Sequence, residues 1–150
     1  MKIYFAAPLF TQGEWQWNKN LAREIEKLDS GLEVILPQND AEPMLKGKVE
    51  FDPCALFKNN VEKIDSADVV LAIFDQADPD SGTSWECGYA YKKLPVIGLR
   101  TDIRGGGDSS SNVNLMLLFG CKEYINIPMD KIDDLSFIAK EIIEKIKGIL

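Results

Sequence analysis

A run of β-branched and apolar residues at positions 69–74 (VVLAIF) is followed, after a short polar loop, by residues 80–90 (DSGTSWECGYA), which continue at helical spacing. The pattern predicts a buried strand, a turn and then a helix, which is one unit of a parallel α/β sheet. Ligands collect at the carboxyl edge of such a sheet, where its strands end. We therefore expect Asp80 and Glu86 to face one cleft at that edge.

The same alternation continues through the chain. Four more short strands are predicted between helices with one buried face, at residues 3–7, 32–36, 95–99 and 124–127. Five such strands without an internal repeat predict an α/β fold, a flavodoxin-like doubly wound parallel sheet with helices on both faces and strand order 2-1-3-4-5. That order brings the end of the first strand, with Tyr4, beside Asp80 and Glu86. The 150 residues are expected to form a single domain, residues 1–150.

Other segments carry weaker signals. Residues 40–52 are polar and too long for an ordinary tight connection, so they form either a functional lid or a plain excursion. Residues 105–111 are rich in glycine and serine, which predicts mobility, and lack the pattern of a phosphate-binding loop. Residues 114–118 predict a short helix whose apolar surface exceeds the needs of the core and suggests a subunit contact. Trp17 is expected in the core, and Asn60 is expected on a solvated helix face.

Residues 80–90 allow two interpretations. A carboxylate such as Glu86 can attack or stabilise a sugar carbon that gains positive charge, while an acidic partner such as Asp80 protonates or orients the leaving group. Alternatively, Thr83 and Glu86 match a capping box, in which Thr83 caps the helix and Glu86 reaches back to the Thr83 amide. Asp80 and Ser81 would then only satisfy turn amides. Spacing alone favours the cap.

Composition excludes several classes of function. The net charge of -7 and the lack of a basic run interleaved with aromatic residues argue against a nucleic-acid partner. There is no histidine, which argues against zinc hydrolases and histidine-dependent nucleophiles, and no metal or other cofactor is expected. Three widely spaced cysteines, Cys54, Cys87 and Cys121, support neither a disulfide framework nor a CxxC site. Without a signal-like start or a membrane-length apolar run, the protein is expected to be cytoplasmic and away from membranes.

Three pieces of the sequence together resemble the nucleoside 2-deoxyribosyltransferase family. They are residues 3–10 (IYFAAPLF), residues 80–90 and residues 112–116 (NVNLM). The middle piece, with its D-S-G-T-x-x-E-x-G-x-A spacing, is the most specific, and the match spans nearly the whole chain. Family members exchange the base of 2'-deoxynucleosides through a covalent deoxyribosyl-enzyme intermediate.

The resemblance implies a role for each matching residue. Glu86 would be the nucleophile at the anomeric carbon, Tyr4 would hydrogen-bond and orient it, and Asp80 would contact the substrate and help to protonate the departing base. Gln38 lies near a family glutamine that binds the base. Asn114 matches an asparagine that reaches the sugar 5'-hydroxyl in a neighbouring subunit's site, which implies a homo-oligomer.

Further contacts and one departure follow from the same resemblance. Ser81, Gly82 and Met116 lie within the matched pieces and are expected to contact the substrate, and Phe10 is expected to pack on the base. Where the family usually has an aspartate that takes part in proton transfer to the base, this chain has Asn60. An amide can hydrogen-bond a base but cannot act as a general acid.

Three functions therefore remain open. The first is transfer of deoxyribose between a nucleoside and a free nucleobase. The second is hydrolysis of 2'-deoxynucleoside 5'-monophosphates by an N-glycosidase, against which Asp80 argues because a carboxylate repels a phosphate dianion. The third is a non-catalytic nucleoside-binding module, which Asn60 keeps open. A preference for purines or pyrimidines does not follow from the sequence.

Overall fold

The computed structural model describes residues 1–104 and 113–149, and its regular elements alternate between strands and helices. In chain order they are β1 (Lys2–Ala6), α1 (Gln12–Leu28), β2 (Glu33–Ile35), α2 (Pro37–Leu45), α3 (Pro53–Asp65), β3 (Val69–Ile73), α4 (Ser81–Ala90), β4 (Val96–Arg100), α5 (Leu115–Gly120), β5 (Glu123–Asn126) and α6 (Leu135–Gly148). A single 3-10 turn at Met129–Lys131 precedes α6. None of the helices in the described part of the chain is long and apolar enough to cross a membrane.

The five strands form one parallel sheet in the order β2-β1-β3-β4-β5, which confirms the predicted flavodoxin-like topology. Strand β1 lies between β2 and β3, with Tyr4 paired in register with Val70. The chain leaves β1 and β3 toward different helices, so a crevice opens between the ends of these two strands. Both the loop after β1 and the start of α4 border it.

Side chains of each strand alternate between two buried layers. Ile3 and Phe5 of β1 pack with α1 and α6, whereas Tyr4 and Ala6 point to the layer formed with α3, α4 and α5. Tyr4 is completely buried, although it is a tyrosine. A buried phenol needs a hydrogen-bond partner, and only the second layer contains α4 and its Glu86.

The buried side chain of Arg100 holds the loop that leads from β3 to α4. Its Nη1 donates to the carbonyl oxygens of Phe74 and Gln76, the latter at 3.1 Å, and its Nη2 donates to the carbonyl of Arg104 at 2.6 Å. Gln76 adopts a positive φ of 78°, which is uncommon for a residue other than glycine. These bonds fix the path of the backbone toward Asp80.

The structure corrects the prediction for residues 40–52. Residues 37–45 form helix α2, so the irregular part is shorter than predicted. Pro37 occupies the first turn of α2, where a missing N–H costs nothing, and Pro43 lies farther along the helix. Reading both prolines as helix breakers caused the error. The predicted mobility of residues 105–111 lies outside the described residues.

Candidate active site

A short hydrogen bond joins β1 to α4 at the carboxyl edge of the sheet. The phenol Oη of Tyr4 donates to Oε1 of Glu86 over 2.6 Å, across 82 residues of sequence. The parallel pairing of β1 with β3 places Tyr4 beneath the helix that follows β3, and Glu86 lies one turn and a half into that helix. The contact thus joins two of the sequence pieces on which the family resemblance rests.

Burial gives this pair unusual protonation behaviour. It raises the pKa of Glu86 from 4.5 to about 7, the hydrogen bond from Tyr4 opposes the rise, and the nearby negative charge of Asp80 adds to it. The pKa of Tyr4 lies far above its usual value, because the phenol is buried and faces Glu86. Tyr4 therefore stays protonated and can only donate to the carboxylate.

Asp80 caps α4, so the predicted capping box of Thr83 and Glu86 is wrong. Its Oδ2 accepts hydrogen bonds from the Thr83 amide at 2.9 Å and from Thr83 Oγ1 at 3.4 Å, and its carbonyl accepts from Ser84 Oγ. The helix begins at Ser81, three residues earlier than a Thr83 cap requires. Glu86 is consequently free of capping and bonds to Tyr4 instead.

A pocket of about 400 Å³ opens between α3 and α4 next to Glu86. Its lining consists of Phe51, Pro53, Leu56, Phe57, Asn60, Val61, Ile64, Gly82, Trp85 and Glu86. Asn60 and Glu86 are the lining residues with an amide or a charged side chain. Asn60 Oδ1 is buried and has no hydrogen-bond partner among the described residues, so the expectation that Asn60 is simply solvated is wrong.

The sequence analysis overlooked the aromatic wall of this pocket. The rings of Phe57 and Trp85 lie 5.4 Å apart, and Trp85 stacks on Tyr89 at 5.3 Å. Phe51, Phe57 and Trp85 are about half exposed, so a flat apolar face is open to the solvent at the mouth of the pocket. The position of Trp85 next to Glu86 was the only sequence signal for it.

Asp40 is a second residue that the sequence analysis did not connect with the site. Helix α2 brings it close enough to Tyr4 for its charge to raise the pKa of the phenol further. Its carboxylate forms an ion pair with Lys63 on α3, one turn after Asn60. Because residues 40–52 were predicted to be irregular, no helix was available to point Asp40 toward Tyr4.

Gln38 and Phe10 are not among the residues that line this pocket. Gln38 is buried, its Oε1 accepts from Asn18 Nδ2 at 2.9 Å, and its Nε2 donates to the Trp15 carbonyl at 3.1 Å. These bonds tie α2 to α1 and use both ends of the amide. Phe10 is three-quarters exposed in the loop after β1 and is not among the residues that line the pocket.

Met116 borders a different pocket from Glu86, and Asn114 directly precedes the helix that lines this second pocket. Asn114 caps α5, with its Oδ1 accepting from the Met116 amide at 2.9 Å, and Met116 is three-quarters exposed. Met116 lines a largely apolar groove of about 420 Å³ between α4 and α5, together with Tyr91 and Phe119, which are also exposed. Ser81 lies exposed in the first turn of α4.

The thiols of Cys87 and Cys121 are unsuited to nucleophilic chemistry. Burial raises the pKa of Cys87 far above its usual value and that of Cys121 to about 12, so both stay protonated. No group of three or more acidic or thiol side chains within residues 1–104 and 113–149 could hold a metal ion. Glu86 therefore stands out as the candidate nucleophile of the described chain.

Solved structures with the same fold include proteins that act on nucleosides or nucleotides. A conserved protein from Enterococcus faecalis V583 is 26% identical, with a TM-score of 0.68 over 91% of this chain and 97% of that one. A 2-deoxyribosyltransferase from Bacillus psychrosaccharolyticus is 27% identical, with a TM-score of 0.64 over 89% and 91%. A CMP N-glycosidase from Clostridium botulinum, 18% identical with a TM-score of 0.61 over both whole chains, shares the fold.

Sequence comparison leads to the same group of proteins. A search of curated proteins gave no significant match. The family model for nucleoside 2-deoxyribosyltransferases, however, matches residues 3–116, which is about three-quarters of the chain and includes Tyr4, Asp80 and Glu86. The chain therefore belongs to the nucleoside 2-deoxyribosyltransferase family.

Proposed function

We propose that this protein exchanges the base of 2'-deoxynucleosides by way of a covalent deoxyribosyl-Glu86 intermediate. The hydrogen bond between Tyr4 and Glu86 carries the proposal. It holds one carboxylate oxygen, so that the other is left to attack the sugar from the pocket. A pKa of about 7 leaves a large fraction of Glu86 ionised at neutral pH, and its incomplete solvation keeps the carboxylate reactive.

In the first half-reaction, a Glu86 oxygen bonds to C1' of the deoxyribose while the bond from C1' to the base nitrogen breaks. The electron pair of that bond leaves with the base, which takes up a proton. We propose that Asp80 is the source of this proton or orients the group that donates it. Its Oδ1 accepts no hydrogen bond in the described part of the chain, so this oxygen is available for that role. Tyr4 stabilises the charge that remains on Glu86 as the transition state forms.

In the second half-reaction, a nitrogen of the incoming base attacks C1' and displaces Glu86. The acceptor base then loses a proton, and the carboxylate is restored. Two displacements at the same carbon return the original configuration. Water attacking the intermediate in place of a base would give hydrolysis, so some release of free sugar is expected when no acceptor base is present.

The test is to incubate the protein with deoxyinosine, with and without free adenine, and to separate the products by chromatography. We expect deoxyadenosine only when adenine is present, and no product with Glu86→Ala. Equal release of hypoxanthine with and without adenine, and no deoxyadenosine, would identify a hydrolase. Release of base from dCMP or dGMP without nucleoside exchange would identify a nucleotide N-glycosidase. Tight nucleoside binding without turnover would indicate a non-catalytic binding module.

We further propose a homo-oligomer in which Asn114 completes the site of a neighbouring subunit. The exposed groove formed by Tyr91, Met116 and Phe119 supports this, because its apolar surface lies directly beside Asn114. Glu86→Ala and Asn114→Ala are each expected to be inactive alone. Mixing the two variants under conditions that allow subunit exchange should restore activity, since some sites would then contain both native residues. No recovery in a mixed oligomer would place both residues in the same subunit's site.

A further inference from the structure

The indole of Trp85 is half exposed and lines the same pocket as Glu86, the next residue on α4. The ring of Phe57 on α3, which is also half exposed, lies 5.4 Å from it and is inclined by 59°. Single exposed apolar side chains are common, but neighbouring exposed rings that line a pocket indicate a binding surface. The position beside Glu86 makes this surface part of the candidate active site.

Contacts along α4 hold this indole in one orientation. Trp85 stacks on Tyr89, which is one helical turn later, with the ring centroids 5.3 Å apart and the planes 13° apart. Tyr89 is held in turn, because its Oη donates to Asp65 at 2.9 Å and the Lys93 ammonium lies 3.6 Å from its ring centroid. A ring that is already ordered loses little conformational entropy when a ligand packs on it, so Trp85 is preorganised for binding.

The pocket has few side-chain groups that could distinguish one nucleobase from another by its hydrogen-bonding edge. Among the described residues that line it, Asn60 and Glu86 are the ones with an amide or a charged side chain. Asn60 Oδ1 is buried and does not face a ligand, while Glu86 bonds to Tyr4 and, in the proposed function, to the sugar. The other lining residues are glycine, proline, aliphatic and aromatic. Contact with the flat face of a base is therefore the main interaction that this pocket provides.

We propose that Trp85 is the surface on which the base of the substrate stacks, and that the site therefore accepts both purines and pyrimidines. The inference rests on the proposed function, because it takes the ligand beside Glu86 to be a nucleoside. Every nucleobase has a π face, so stacking on an aromatic side chain contributes to binding with little regard to the identity of the base. The pocket volume of about 400 Å³ accommodates either ring size.

The first measurement is the affinity for free adenine, hypoxanthine and cytosine by titration calorimetry, which does not depend on catalysis. We expect the three dissociation constants of the native protein to lie within about 10-fold of one another. Trp85→Ala should weaken the binding of each base by about 5-fold or more. Trp85→Phe keeps a flat ring and should bind each base more tightly than Trp85→Leu, which keeps only apolar bulk.

The second measurement is the tryptophan fluorescence of the native protein, because a base that stacks on an indole quenches its emission. We expect all three bases to quench, and Trp85→Phe to lose the quenching although it still binds them. Trp15→Phe is the matched control, since it also removes one indole but Trp15 lies on α1 and does not line the pocket. This control should keep both the quenching and the affinities of the native protein.

Unchanged affinity in Trp85→Ala, or a native preference of more than about 10-fold for one base, would overturn the proposal. So would a smaller oligomer in Trp85→Ala, measured by light scattering, together with native affinity for the bases, because the indole would then belong to a subunit contact. Base binding that depends on Trp85 without any base exchange would reject the transferase and support the role of Trp85. Base exchange by Trp85→Ala at the native rate and KM would reject the role of Trp85 and leave the transferase standing.

Discussion

Two of the clefts formed by the described residues have similar sizes and lie on opposite faces at the carboxyl edge of the sheet, and their carboxylates behave in opposite ways. One is the pocket between α3 and α4 that contains Glu86. The other, of about 360 Å³, lies beside α1 and is bordered by Asp75, Asp102 and Arg104. Asp75 and Asp102 follow β3 and β4 directly, so this second cleft also carries acidic side chains at the ends of strands.

Hydrogen bonding distinguishes the two clefts. Asp75 accepts from the Thr101 amide at 2.6 Å, from Thr101 Oγ1 at 2.5 Å and from the Asp102 amide at 3.0 Å. Asp102 accepts from the Gln76 amide and pairs with Arg104, which holds the pKa of Asp102 well below its usual range. Glu86 has one donor within residues 1–104 and 113–149, Tyr4, and its pKa is raised.

The comparison shows how a structural carboxylate differs from a reactive one. In the cleft beside α1, the charges are satisfied and tie the ends of β3 and β4 together. In the pocket between α3 and α4, the protein keeps a carboxylate partly desolvated, and Asn60 Oδ1 accepts no hydrogen bond from the described residues. Such unpaired groups lower stability, and they persist where function requires them.

The largest expected effect is a loss of activity when the pocket between α3 and α4 is changed, and a matching change in the other cleft should have little effect. Glu86→Gln keeps the shape of the side chain and an acceptor for Tyr4 but removes the nucleophile, so kcat/KM for base exchange should fall about 10³-fold or more. Asp102→Asn in the other cleft is the matched control and should change kcat/KM by less than about fivefold. Similar losses in both variants, measured by chromatographic exchange assays, would mean that the two clefts act as one site.

The second prediction is that a change in the cleft beside α1 lowers stability and leaves activity almost unchanged. Asp75→Ala leaves the amides of Thr101 and Asp102 and the Thr101 hydroxyl without their acceptor, so the free energy of unfolding should drop by roughly 3 kcal/mol. Urea unfolding followed by circular dichroism measures this drop. Exchange activity of the folded variant should remain near that of the native protein, and a stability loss under about 1 kcal/mol would contradict the structural role of Asp75.

The third prediction concerns the stability cost of the reactive carboxylate. Because the folded-state pKa of Glu86 is about 7 and its usual value is 4.5, the folded protein holds this proton more tightly than the unfolded chain. The free energy of unfolding therefore has its full value below about pH 4.5, where Glu86 is protonated in both states. It decreases as the pH rises through about 7, by up to about 3 kcal/mol.

Glu86→Gln removes that pH dependence, because glutamine does not ionise. The variant should therefore be more stable than the native protein near pH 8 and about equal to it near pH 5. Thermal unfolding at the two pH values measures the difference between them. A variant that is less stable near pH 8 would show that ionised Glu86 is well solvated or well paired, as Asp102 is.

The fold was predictable because its signals are local and repeated. Each strand is a short run of β-branched and apolar residues, and the helices between them keep one apolar face, so the parallel sheet and its order followed from the chain. The parallel order in turn placed the end of β1 beside the loop before α4. That is why Tyr4 and Glu86 could be expected together before any distance between them was known.

The parts that could not be predicted depend on packing between elements. Thr83 and Glu86 satisfy the spacing of a capping box, but Asp80 competes for the same amides and starts the helix earlier. The burial of the Asn60 oxygen arises where α3 packs against α4, and neither periodicity nor composition reports that contact. Pro37 looked like a break in the chain and instead begins a helix.

The smallest predicted effect separates the two roles of Asp80. Asp80→Asn keeps an oxygen that can accept from the Thr83 amide, so α4 should start at the same residue, but it removes a negative charge near Glu86. Without that charge, the pKa of Glu86 should fall, because the negative charge of Asp80 contributes to its rise. The rising limb of log kcat/KM against pH, near 7 in the native protein, should shift down accordingly.

Asp80→Ala supplies the contrast, because it removes the charge and the cap together. It should show the same downward shift in the pH profile and, in addition, a stability loss of about 1 kcal/mol. An unchanged midpoint in Asp80→Asn would mean that the charge of Asp80 does not reach Glu86 and that burial alone raises its pKa. Both variants should also exchange bases more slowly at every pH, because Asp80 is the proposed source or guide of the proton for the departing base.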